Sequence, residues 1–341
     1  MLEVFLNAYR GYATYLWSEI TQPSWDNYFY WLLGISLFFF LIELAAPWRK
    51  NQAILRKDFW LDLFYVFFNF FLFSLIIYHA ASDVVVHLVE RGARQIFSIN
   101  LSEINPMYSW PLWAVLLVGF VVRDFVQWWT HRLLHRVEWL WEFHKVHHSV
   151  EQMGFAAHLR YHWMETIVYR TIEYLPLAFL GIGLHDFFII HIFTLAVGHF
   201  NHSNVTVSPY LSGGIVGGLI GVAIAFSVAD ISLLNSPTIT QQLLVIIGSI
   251  SAGSLLLGPW MRVLFNSPEM HLYHHAYNLP ERNKYGVNFG LTLAIWDYLW
   301  GTAHLPEMSG NIRLGFKGVE TFPTDFTAQI THGFKTKEHE N

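Results

Sequence analysis

Ten histidines fall into four clusters whose spacing suits metal ligation. The first is His131-Arg-Leu-Leu-His135, and the second is His144-Lys-Val-His147-His148. The third is His199-Phe-Asn-His202-Ser-Asn204, and the fourth, His271-Leu-Tyr-His274-His275, repeats the second. Residues three and four apart share one face of a helix, so each cluster can aim two or three imidazoles at one point. Imidazole binds Fe, Zn, Cu and Ni. Ten ligands exceed one tetrahedral zinc, while two metals with four or five imidazoles each fit the number. No Glu-x-x-His pair accompanies them, so the carboxylate-rich centre of soluble four-helix bundles does not fit. His-Glu-x-x-His is absent too, which argues against a zinc protease. The isolated His79, His87, His185, His191, His304, His332 and His339 are read as packing residues.

The elements that must position these clusters are membrane helices. The chain has 341 residues, 54% hydrophobic and only 13% charged, against about 25% charged in soluble domains. A span needs roughly 20 apolar residues. Such runs lie near 29–47, 59–81 and 110–129, with shorter pairs near 166–184 and 187–200 and a Gly- and Ala-rich pair near 211–233 and 239–257. Arg49, Lys50, Arg56 and Lys57 follow the first run, which places that loop in the cytoplasm by the positive-inside rule. Counting spans from there brings every histidine cluster to the cytoplasmic side. The expected fold is all-α: a polytopic transmembrane helical bundle with a cytoplasmic histidine-rich helical cap. A net charge of −5 offers no basic face for nucleic acid, and the lack of cysteine excludes thiolate sites. No cleavable signal peptide is visible at the N-terminus.

The clusters, together with Arg160-Tyr-His162-Trp-Met-Glu165, Asn283-Lys-Tyr-Gly-Val-Asn288-Phe-Gly and Ile295-Trp-Asp297-Tyr-Leu-Trp-Gly301-Thr302, resemble the fatty acid hydroxylase/sterol desaturase superfamily over roughly residues 115–305. The resemblance implies a di-iron centre, O₂ as co-substrate, and an electron donor of cytochrome b5-like or ferredoxin type. It also implies hydroxylation, desaturation or ether cleavage of a lipid such as a sterol, fatty acyl chain or ether lipid. By motif it carries over His131, His135, His144, His147, His148, His271, His274 and His275 as metal ligands, with His202 and His199 beside them. His162 stands where relatives read His-Pro-x-Glu, with Trp163 in place of the Pro, as a ligand or a neighbour of one. Relatives run more directly from the His-Ser-Asn box to the last box, so residues 205–258 form an apolar insertion.

Three regions follow: 1–109, an interfacial segment and two spans; 110–305, the catalytic region; and 306–341, a C-terminal cytoplasmic tail. The bacterial inner membrane and the endoplasmic reticulum both fit. Asn204 is a candidate for a metal-bound water or a helix cap. Glu138, Glu142, Glu165, Glu269 and Asp297 are candidate acceptors for the outer ring N–H groups, with Asp297 preferred. Arg123 and Asp124 are expected to snorkel or pair where the third span leaves the membrane, and Arg170 and Glu173 to pair with each other. Two rival classes keep the histidines but not the chemistry: a metal transporter and a haem-binding electron carrier.

Overall fold

The computed structural model describes residues 2–25, 27–69, 71, 91–92, 94–95, 98, 107, 109–180, 184–229, 238–305 and 312–334. The second half of the expected second span (72–81), His79, His87, His339 and the side chains of Arg170 and His185 lie outside them. Every regular element among the described residues is helical, with only two isolated β-bridges, Phe265 to Leu293 and Ala276 to Leu314.

Helix α1 (Leu2–Thr21) leads into α2 (Tyr28–Ala45), and the Asn27 amide ties the two by donating to the Glu19 and Gln22 carbonyls. Helix α2 is apolar on all sides, as an immersed helix must be. It leaves Leu33, Leu37, Phe38 and Leu41 outward and buries Leu32 and Phe39. Helix α3 (Phe59–Phe67) follows a loop. Helix α4 (Leu112–Arg136) has 25 residues, a length of about 37 Å, which exceeds a hydrocarbon core of about 30 Å. Its last turns, with His131 and His135, therefore project beyond the apolar stretch. Extended backbone at Val137 ends α4, and α5 (Glu138–His148) sets off in a new direction.

Helices α6 (Trp163–Leu180) and α7 (Leu184–His202) pack beside α4. Arg123 of α4 is buried and pairs with Glu173 of α6 at 3.7 Å, so Glu173 turns into the bundle toward α4. Asp124 does not snorkel either. It is fully buried and accepts from the Thr292 and Leu293 N–H groups and the Trp296 indole. A surface-bound carboxylate would leave those three donors unsatisfied inside the protein.

The insertion forms α8 (Pro209–Ala229) and α9 (Ile239–Ala252), the latter continuing through a π turn and a 3-10 turn to Met261–Leu264. Glycines make their contact possible. A methyl group on Gly213 would lie 2.6 Å from the Gly253 carbonyl oxygen, and one on Gly217 would collide with the Ser249 carbonyl oxygen. The two backbones thus touch directly, the close approach that small residues allow in lipid. Outward faces carry Leu211, Ile215, Leu219, Leu243, Ile247 and Leu255. Among the described residues, three helical stretches are long and apolar enough to cross a membrane: Tyr28–Ala45, Leu112–Arg136 and Ile239–Leu264.

Helix α10 (Pro268–His274) starts at Ser267, whose hydroxyl accepts from the Met270 N–H, with Pro268 preset at the first position. Helices α11 (Ile295–Leu299) and α12 (Phe326–Ile330) are short. The stretch expected as a tail is, in its described part 312–334, folded onto the histidine helices. Leu314 sits in a core with Val150, Met153, Ala157 and Leu272, and Ile330 and Phe326 pack against Tyr65 and Val146. Apolar residues spaced through this stretch give it a buried face that a solvated tail would not have.

Gly217→Val should wedge α8 from α9 and lower the thermal unfolding midpoint in detergent, a cost of about 1–3 kcal/mol. Gly248, with nothing within 4 Å of an added methyl, should accept Ala without loss, and equal midpoints for the two variants would contradict this packing.

Candidate metal centre

Nine of the clustered imidazoles converge into two adjoining buried groups. His131, His135, His144, His148 and His274 form one, and His147, His202, His271 and His275 form the other, the ligand atoms of each lying within 4.8 Å of one another. Each His-x-x-His-His box is split. Helix α5 sends His144 and His148 to the first group and His147 to the second, while α10 sends His274 to the first and His271 and His275 to the second. Helix α4 completes the first group and α7 the second.

Outer hydrogen bonds set the tautomers. Nδ1 of His131 donates to the Phe289 carbonyl at 2.8 Å, His274 to Val287 at 2.7 Å, His147 to Arg160 at 3.0 Å and His202 to Gly198 at 2.8 Å. His144 directs Nδ1 to the Glu165 carboxylate at 2.7 Å. A neutral imidazole that gives its proton outward keeps a lone pair on Nε2. Those Nε2 atoms meet inside, His131 and His144 at 3.2 Å and His202 and His147 at 3.3 Å, and His202 also lies 2.9 Å from Nε2 of His271, whose own Nδ1 is buried with no partner among the described residues. Nε2 of His135, His148 and His274 is buried with no partner among the described residues. Burial holds the His144, His147, His148, His271, His274 and His275 imidazoles well below the ordinary value of 6.5, so they are neutral near pH 7. Lone pair facing lone pair is repulsive, and a cation in each group turns it into ligation. The donor set therefore fits two metal ions.

The anchors of this arrangement are themselves held. Asp297 accepts from the Phe289 and Gly290 N–H groups, the Trp128 indole and the Thr302 hydroxyl. It fixes the loop whose carbonyls grip His131 and His274. Arg160 pairs with Asp62 and Asp58 at 3.2 Å, Arg56 pairs with Asp62 at 2.5 Å, and Arg160 also donates to Ser149 at 2.8 Å. This buried network sets the carbonyl that holds His147.

Other expected site residues lie elsewhere. His162 gives Nε2–H to the Ile330 carbonyl, and its Nδ1 accepts from the Met164 N–H, so both ring nitrogens are committed to backbone. Asn204 accepts from the Arg49 backbone and side chain and donates back to the Arg49 carbonyl, clamping the loop after α2. His199 belongs to neither group; it contacts Ser36 at 3.0 Å and His158 at 2.9 Å. Of the expected carboxylates, Glu165 makes a ring contact to these groups, through His144. Glu142 binds Lys145 and His332, and Glu269 binds Thr206 and Arg262.

His158 escaped the sequence reading. Its ring lies 5.1 Å from that of His202, and Gly198 makes room for it, since a methyl there would collide with the imidazole. It sits in the 3-10 turn Phe155–Leu159, where no helical spacing links it to a second histidine of the four boxes. A cavity of about 190 Å³ adjoins both groups and is lined by His131, His144, His147, His158, His202 and His271.

Residues 116–218 match the family model for fatty acid hydroxylase. An ornithine lipid hydroxylase of Rhizobium tropici is 26% identical over 229 residues, covering 67% of this chain and 53% of that protein. An alkylglycerol monooxygenase of Xenopus tropicalis is 25% identical over 226 residues, covering 65% of this chain and 36% of that protein. A putative methylsterol monooxygenase of Dictyostelium discoideum is 39% identical over 73 residues, covering 21% of this chain and 27% of that protein. No solved structure matches. The chain spans about half or less of the length of these relatives. Residues 116–218 thus carry a fatty acid hydroxylase domain, set in an all-α fold with a histidine-rich centre and helices long and apolar enough to cross a membrane.

Asp62→Ala would leave Arg56 and Arg160 buried without their shared partner, a loss of about 3–5 kcal/mol. Lower thermal stability together with reduced bound metal is expected, read by unfolding in detergent and elemental analysis. Unchanged metal content and stability would show that the network does not set the His147 anchor.

Proposed function

We propose that this chain is a di-iron oxidoreductase that uses O₂ and external electrons to hydroxylate a lipid-like substrate drawn from the bilayer. The observation that carries this reading is the pair of converging imidazole groups beside a cavity walled chiefly by α4, α6 and α7. His131, His135, His144, His148 and His274 would hold one iron, and His147, His202, His271 and His275 the other. Bound iron supplies the redox chemistry: two electrons and two protons arrive, one oxygen atom enters a C–H bond, and the other leaves as water.

The chain's own part is orientation and exclusion. Carbonyls of Val287, Phe289, Arg160 and Gly198 and the Glu165 carboxylate fix ring direction, the outer support that ligating histidines require. Buried walls keep bulk water from the reacting carbon. Asp297 and Arg160 act as positioning residues through the carbonyls they hold. Hydroxylation is favoured over desaturation because the relatives with the longest alignments are named a hydroxylase and a monooxygenase. The electrons would come from a cytochrome b5-like or ferredoxin-type donor. The histidine face is assigned to the cytoplasm from the basic loop at 49–57, in which Arg49 and Arg56 also serve as internal braces.

Comparative lipidomics of cells with and without the gene, grown under ¹⁸O₂, should reveal a lipid carrying one labelled oxygen. His274→Ala and His147→Ala should each abolish that product and lower bound iron, since each empties a different group of one ligand. Full O₂-dependent product formation by the double variant would overturn the reading.

A further inference from the structure

The cavity beside the imidazoles has a mostly apolar wall, interrupted by buried polar side chains that a site for a plain alkyl chain would not need. Beyond the histidines its wall includes Arg123 and Gln127 of α4, Thr166 and Glu173 of α6, and Thr194 and Asn201 of α7. Arg123 and Glu173 side chains are each only 4% exposed. Ionisable residues at this depth are costly and mark functional sites in membrane proteins. A cavity of about 190 Å³ also far exceeds the roughly 10–15 Å³ that one water needs.

The acceptors in this wall are under-used. Glu173 keeps one carboxylate oxygen toward Arg123, while its Oε1 is buried with no partner among the described residues. Asn201, 1% exposed, spends its amide N–H on the Leu291 carbonyl at 2.7 Å and leaves Oδ1 buried and unpartnered. Thr166 Oγ1 is in the same position. Buried acceptors of this kind are rarely left unsatisfied; ordered water or a ligand in the cavity completes them. They call for a group that donates hydrogen bonds.

Helix geometry gives the scale. Arg123 precedes His131 by eight residues on α4, and Glu173 follows Glu165, the partner of His144, by eight on α6. Both offsets correspond to about 12 Å of helix rise. Glu173 therefore lies at the end of the cavity remote from the metal groups, and Thr166 and Asn201 lie near them.

We propose that this cavity binds a lipid through a hydrogen-bond-donating polar group, a hydroxyl or amide N–H, received by Glu173 at the end remote from the metal groups. Arg123 holds the Glu173 carboxylate in place. The proposal rests on the lipid-oxidising reading and narrows it. The substrate is functionalised within about 12 Å of the carbon that reacts, and an unsubstituted alkyl segment is a poor ligand.

The test uses full-length, iron-loaded protein in detergent micelles and three probes of one chain length: hexadecan-1-ol, its methyl ether and hexadecanoate. Dissociation constants are compared as mole fractions in the micelle. The alcohol should bind on the order of tenfold tighter than the ether, because the ether leaves buried acceptors unpaired. The Arg123→Met/Glu173→Met double variant removes both charges together, so neither is stranded. It should retain iron and lose most of the preference. Equal binding of alcohol and ether by the unaltered protein would overturn the proposal, as would tightest binding of hexadecanoate, which would make Arg123 the centre of an anion site. A double variant that keeps iron and the full preference would overturn the assignment of Glu173. Iron content, measured on the same samples, separates these outcomes from failure of the di-iron reading, which would appear as absence of iron in the unaltered protein.

Discussion

The organisation of this protein depends on one electrostatic requirement: neutral imidazoles must point their lone pairs at each other in a buried space. Left alone, such an arrangement is unfavourable. It becomes tenable when each ring is tied from behind and a cation sits in front. Much of the fold supplies ties. The loop at 287–290 offers two carbonyls, the turn before α6 offers a third, and α7 offers a fourth from its own backbone. The buried carboxylates then brace the tie points: Asp124 and Asp297 hold the loop, and Asp62 holds Arg160.

The helices and the histidine boxes were legible in the sequence because both rest on periodicity. Apolar runs marked α2, α4 and the α8–α9 pair, and the i, i+3, i+4 histidines marked the faces that meet. What spacing does not reveal is which residues of a box serve which group. That depends on the directions of α5 and α10 across the centre, a tertiary property. His158 stands four residues before His162, but a 3-10 turn and the extended segment after it break the helical register that this spacing suggests. His191 was read as a packing residue from its isolation, yet it stacks on Tyr28 and lines the cavity near Arg123.

The polar residues show the opposite problem. Their types suggested chemistry, and their positions assign support. Asn204, His162 and Asp297 each spend their hydrogen-bonding capacity on backbone or a neighbouring loop. Side-chain type alone cannot separate these roles, because a buried polar group must find partners whatever its function. The backbone carbonyls that matter most, at Val287 and Phe289, carry no residue signature, although the segment containing them was among the motifs that pointed to the superfamily.

The splitting of the two His-x-x-His-His boxes has a mechanical meaning. Helices α5 and α10 each furnish ligands to both groups, so neither group belongs to a separate part of the molecule. The spacing between the two centres is ruled by the pitch of two short helices, a stiff quantity. An α-helix advances about 1.5 Å per residue, and stretching that gap would require unwinding backbone. Because α5 and α10 serve both groups, a shift of either helix displaces ligands of both.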